Sequence, residues 1–110
     1  LADINTNKKS ERSKKMITNN ILIKLKDRNS ENIGNARDKL LSMKDKIESL
    51  RDLTVKVNIR QDASSYDILQ IAQYDSMEDL EAYIVHPVHI EVSQYMADVI
   101  ESIAVVCSES

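Results

Sequence analysis

His86-Pro87-Val88-His89 is the stretch of this 110-residue chain best suited to proton chemistry. Imidazole changes charge near neutral pH and is the usual general base. Proline is favoured at the first helical position, so Pro87 marks the start of a helix and His89 falls in its first turn. Free amides and the helix dipole there disfavour imidazolium and leave a neutral ring able to accept a proton. Tyr83, a little upstream, brings a hydroxyl that could orient His89 or bond a ligand carbonyl. In the competing reading both are structural, tying a helix–proline–helix corner together. That reading is favoured, because no nucleophile or second base can be placed beside them. His86 reads as a solvent-exposed corner residue.

Other chemistries find less support. His86 and His89 have a spacing that fits one helix face, but no third ligand accompanies them, so no metal site is expected. The one Cys, Cys107, has no basic neighbour in sequence and reads as a packing residue. With Gly34 the only glycine, no phosphate-cradling loop exists, and no cofactor is expected. The longest apolar run, Ile103 to Cys107, is far too short to cross a bilayer.

Charge divides the chain. Lys8, Lys9, Arg12, Lys14 and Lys15 against Asp3 and Glu11 give residues 1–15 a balance of +3, leaving −6 for residues 16–110. An acidic domain is a poor partner for phosphate backbones, so nucleic-acid binding is not expected. The basic stretch lacks aromatics and is followed by no apolar segment. It reads as a flexible polar arm or an appended segment, not a secretory signal, and the expected location is cytoplasmic.

The elements that must position these residues follow from hydrophobic period. Residues 17–26 alternate, with Asn19, Ile21, Ile23 and Leu25 on one face and Asn20, Leu22 and Lys24 on the other, as in a strand. Ser30 reads as an N-cap. Ile33, Ala36, Leu40, Met43, Ile47 and Leu50 then form one stripe, which predicts a helix of about five turns. Strands follow at 53–60 and 66–74, the second placing Ile68, Gln70 and Ala72 on one face and Leu69 and Ile71 on the other. Ser76 caps a short helix with Asp79 in a capping-box-like position. A helix from Pro87 and a strand over 102–107 complete the chain.

This order, βαββαβ with the second helix doubled, predicts an α+β ferredoxin-like domain with helices on one face of a four-stranded antiparallel sheet. Leu22, Leu69, Ile71, Ala104 and Val106 fall on the other face, too many for a solvated surface, and the last strand reads as buried on both faces. A homodimer packed sheet against sheet covers them. The aliphatic core, without Phe or Trp, fits burial shared between two copies.

The opening MITNNILIKLKD, Ser64 to Asp67 (SSYD) and Ser76 to His89 (SMEDLEAYIVHPVH), in this order and at these separations, carry a family resemblance from Met16 to about Val106. The chain resembles the stress-responsive A/B barrel (Dabb) domains, which implies a dimeric α/β barrel. Many Dabb proteins have no established activity, and some plant members are polyketide cyclases with an internal pocket. The resemblance places Tyr83 and His89 at the cyclases' pocket tyrosine and HPxH histidine. Their first-strand histidine falls at Asn19, which hydrogen-bonds but has no titratable nitrogen. A second cyclase tyrosine falls near Leu40 or Leu41 and is absent. Related haem-degrading barrels rely on a Trp that this chain lacks. The expected function is therefore a dimeric domain holding a small apolar or aromatic ligand between sheet and helices, with Asn19, Tyr83 and His89 as ligand-binding residues. The alternative is a small cofactor-free enzyme, cyclase-like or monooxygenase-like, with His89 as base and Tyr83 positioning substrate.

Overall fold

The computed structural model describes residues 15–110. The basic arm expected at 1–15 thus lies, Lys15 excepted, outside the described residues. The element order is β1 (Ile17–Leu25), α1 (Ser30–Leu41), β2 (Asp52–Val57), β3 (Ile68–Tyr74), α2 (Met77–Ile84), α3 (Pro87–Val99) and β4 (Ile100–Glu109). The four strands form one antiparallel sheet in the order β2-β3-β1-β4, the ferredoxin-like arrangement expected from the sequence. Among the described residues no helix is long and apolar enough to cross a membrane.

Register sorts the side chains into two faces, because residues paired across strands share a face. Ile21 pairs with Gln70 and Val105, and Ile23 with Ile68 and Ile103. These residues point toward the helices, and Ile23, Ile68, Ala72 and Leu53 are buried there against Ile33, Ala36 and Leu40 of α1 and Val92 and Met96 of α3. Leu22 pairs with Leu69 and Ala104, and Asn20 with Ile71 and Val106, which places all five apolar residues assigned to the outer face on that face.

α1 is shorter than its apolar stripe. It is capped by the Asn29 side chain, which accepts from the Asn32 amide at 2.8 Å, one residue before the Ser30 expected in that role. It ends at Leu41, where the Ser42 hydroxyl donates to the Lys39 carbonyl, and Asp45 adopts φ 64°, a left-handed conformation that Asp tolerates better than most residues. The chain continues in tight turns that still bury Met43 and Ile47 in the core. The stripe reports burial correctly, whereas the backbone leaves the α-helical pattern after Leu41 and turns through Asp45.

β4 follows α3 without a loop and pairs along its length with β1. The expectation that this strand is buried on both faces does not hold for the single chain. Ile103 and Val105, on the helix side, are each 51% exposed, and Val106, on the outer side, is 65% exposed. β4 is an edge strand, and the helices lie over β2, β3 and β1 and leave it largely uncovered.

Asp67 ties the far end of the sheet together. Its carboxylate accepts from the Leu25 amide, Arg28 Nε and Gln61 Nε2, each at 2.9 Å, and the carboxylate is almost wholly buried at 1% exposure. Arg28 also donates to the carbonyls of Asp62 and Ser65, both at 2.9 Å, so one guanidinium fastens the β2–β3 loop to the β1–α1 turn. Burial raises the Asp67 pKa, but the Leu25 amide, Gln61 and Arg28 outweigh it and hold the carboxyl below its ordinary value.

Candidate functional site

The α2–α3 corner is built by its sequence. Ser76 caps α2 by accepting from the Asp79 amide at 3.1 Å. α2 ends at Ile84, and Pro87 opens α3. His86 is the N-cap of α3, its Nδ1 accepting from the Val88 amide at 3.1 Å. This corrects the reading of His86 as a solvent-exposed corner residue: it is half-buried, and one ring nitrogen is occupied in holding the helix start.

His89, in the first turn of α3, sits with Nδ1 2.9 Å from the Ile84 carbonyl oxygen. A carbonyl only accepts, so Nδ1 carries a proton, and in the neutral ring Nε2 holds a lone pair. Nε2 has no hydrogen-bond partner among the described residues. The imidazole lies 4.3 Å, centroid to centroid, from the Tyr83 ring, and Tyr83 lies 5.2 Å from Tyr74. These three rings run in a row from the corner into the core.

Tyr83 is buried, and its hydroxyl donates to Met43 Sδ at 3.6 Å, a weak acceptor. Burial raises its pKa, and the approach of Tyr74 and Gln70 to the hydroxyl offsets part of that rise. The Tyr74 pKa is raised above that of an ordinary phenol, chiefly by burial and then by the neighbouring Tyr83. Neither approach supplies a well-formed bond to Tyr74 OH or Gln70 Oε1, and both atoms are buried without a partner among the described residues.

A cavity of about 120 Å³ lies beneath this corner, between sheet and helices. Ile21, Ile23 and Gln70 form its sheet wall, Leu40 and Met43 one side, and Val92 and Met96 of α3 another, with Tyr83 and His89 at one end. Ser93 and Ile103, both exposed, also line it and place its mouth beside β4. Its walls carry no Lys, Arg, Asp or Glu. A broader groove of about 430 Å³ lies on the outer sheet face over Leu22 and Leu69, far from these polar groups.

The structure brings Tyr83 and His89 together at this cavity. Asn19 is on the same sheet face but pairs with Ala72 and Cys107, one register step along from Ile21 and Gln70, and it does not line the cavity. Its Oδ1 is buried without a partner among the described residues. Gln70 takes the central sheet position, 3% exposed. Sequence reasoning placed Gln70 on the face of Ile68 and Ala72 without singling it out. The available signal was a lone amide in an otherwise apolar row, and Tyr74 closes the same row. Cys107 is exposed, not packed in the core. Among the described residues no three of His, Cys, Asp and Glu are grouped to hold a metal ion.

Sheet order, helix placement and the cavity between them define an α+β domain of the ferredoxin-like class with a helix–sheet pocket. The family model for the stress responsive A/B barrel domain, Dabb, matches residues 17–109, and the chain belongs to that family. The chain is similar to a dimeric ferredoxin-like protein of unknown function from Bacteroides fragilis, at 24% identity over 86% of this chain and 96% of that one, with a TM-score of 0.73. It is also similar to a dimeric ferredoxin-like protein of unknown function from Thermobifida fusca, at 18% identity, 87% and 92% coverage and a TM-score of 0.77. Hydroxynitrile lyase from Passiflora edulis shares the fold at 10% identity, 86% and 93% coverage and a TM-score of 0.75. No curated protein matches the chain.

Proposed function

We propose that this Dabb domain works as a homodimer joined through its outer sheet faces, and that each subunit holds a small apolar or aromatic ligand in the cavity between sheet and helices. The observation that carries the ligand reading is an apolar cavity, open at Ser93 and Ile103, that ends on Tyr83 and His89. A core built only for stability fills such space, because voids forfeit contacts. Tyr83 and His89 are the ligand-binding residues, and Asn19 lies one register step away on the same sheet face.

The dimer reading rests on the outer face. Leu22 is 39% exposed and, with Leu69, Ile71 and Val106, forms a continuous apolar surface of the kind that marks an interaction site. The Bacteroides fragilis and Thermobifida fusca proteins are described as dimeric, in keeping with this reading. Native mass spectrometry of gently purified protein tests both halves in one measurement. The expected result is a dimer mass carrying a small additional ligand mass, and a bare monomer at micromolar concentration rejects the proposal. A second reading, catalysis with His89 as base, has one observation in its favour: the tautomer that leaves Nε2 unprotonated.

A further inference from the structure

We infer that the helix–sheet cavity selects a small neutral phenol, an aromatic ring with one hydroxyl donor, over an uncharged hydrocarbon or an aromatic acid. The inference rests on the reading of this cavity as a ligand site and adds the chemistry of its occupant.

The polar groups left without partners at the cavity are the Gln70 amide and His89 Nε2. Gln70 Oε1 is buried with no partner among the described residues, and His89 Nε2 offers a lone pair because Nδ1 is held by the Ile84 carbonyl. The Tyr83 hydroxyl turns to Met43 Sδ and the Ser93 hydroxyl to the Ile90 carbonyl at 3.3 Å, while the Gln70 amide nitrogen has no hydrogen-bond partner among the described residues and can donate to the oxygen of the same phenol. A buried acceptor left unpaired carries its full desolvation cost, so a ligand that brings a donor recovers what a hydrocarbon cannot. Charge is selected against, since no Lys, Arg, Asp or Glu lines the walls and an ionised ligand would lose its water without a fixed counter-charge.

Size and surface suit one ring. The 120 Å³ of the cavity is slightly below the roughly 150 Å³ of an apolar cavity that admits benzene, and the exposed mouth at Ser93 and Ile103 gives a ring edge room. Met43, Met96 and Tyr83 offer sulfur and aromatic contacts to a flat guest.

Phenol, toluene and benzoate form the test set, because phenol and toluene are nearly the same size and differ in the hydroxyl. Binding is measured by ligand titration against the full chain while the Met43 and Met96 methyl resonances are followed. Phenol is expected to bind about fivefold tighter than toluene, with both shifting those methyls and benzoate shifting neither. In Gln70→Leu the order reverses, and retained toluene binding shows that the variant is folded. Toluene binding as tightly as phenol to the wild-type chain, or benzoate binding tighter than either, overturns the inference and leaves the cavity reading standing. Failure of phenol and toluene alike to shift the methyls overturns both.

Discussion

The Nδ1 of His89 lies 2.9 Å from the Ile84 carbonyl oxygen, and this one bond does two jobs. It joins the last turn of α2 to the first turn of α3 across Pro87, and it fixes the tautomer that leaves Nε2 as an acceptor at the cavity. The structural and functional readings of His89 are therefore compatible. The corner tie sets the chemical state of the other nitrogen, as a hydrogen bond to one ring nitrogen commonly does.

Two substitutions separate those jobs. An Asn amide can place an N–H near the position of Nδ1–H, so His89→Asn is expected to keep the tie to Ile84 and cost under about 1 kcal/mol of stability. His89→Ala loses both the tie and the contact with the Tyr83 ring, and should cost about 2 kcal/mol. Both variants lose the acceptor. Urea unfolding combined with phenol titration reads the two effects: equal stability loss in both variants would show that the tie contributes nothing.

Asp67→Asn tests the lock at the other end of the sheet. The amide keeps an acceptor for the Leu25 N–H but loses the charge facing Arg28, leaving a guanidinium poorly paired. Because Arg28 is partly exposed, the expected cost is about 2 kcal/mol, below that of breaking a fully buried pair. The Asp67 pKa is depressed in the folded state, so its contribution is complete above the ordinary carboxylate range and fades as pH falls through the lowered value. Stability measured at intervals from pH 6 downward should fall less steeply in the variant. Parallel curves would assign the acid sensitivity to other carboxylates.

Much of the architecture was legible because alternation and the three-to-four residue period report burial directly. Ile21 and Ile23 against Leu22, and Ile68 and Ala72 against Leu69, fall on the faces their spacing assigns. The end of α1 was not legible, because Met43 and Ile47 continue the apolar period while the backbone leaves the helix after Leu41 and turns through Asp45. The apolarity of β4 was visible, but in the single chain that strand stays open to solvent. Tyr83 and His89 were legible as a pair because Pro87 fixes where α3 begins. Gln70 was not, because one amide has no period, and its importance comes from pairing with Ile21 and lying beneath a helix layer formed by distant residues.

The buried tyrosines give an alkaline signature. Of the four tyrosines, Tyr74 and Tyr83 have raised pKa values, chiefly through burial. An acid whose folded pKa is raised is ionised more readily in the unfolded chain, so stability is lost as pH rises past about 10, the ordinary phenol value. A spectrophotometric titration is expected to show the Tyr74 and Tyr83 share of the tyrosine absorbance change arriving only with unfolding. Tyr83→Phe removes a hydroxyl held mainly by a weak sulfur acceptor, so it should cost under about 1 kcal/mol and shrink the late phase. Four tyrosines ionising together near pH 10 in folded protein would contradict this account of the core.

The outer face provides the sharpest test of assembly. Leu69 lies at the centre of that face, paired with Leu22 on one side and Lys56 on the other, and it has no role in the helix-side core. In a symmetric sheet-to-sheet contact each substitution enters the interface twice, so Leu69→Arg places two unpaired cations in one apolar layer. Sedimentation velocity should show the variant as a monomer at concentrations where the wild-type chain is dimeric, with a circular dichroism spectrum unchanged in shape. Val106→Lys on β4 should weaken the dimer less, because a residue near the sheet edge can extend its ammonium into water. If Leu69→Arg leaves the dimer intact while Val105→Lys, on the helix side of β4, dissolves it, the subunits meet along the exposed edge strand and not through the sheet face.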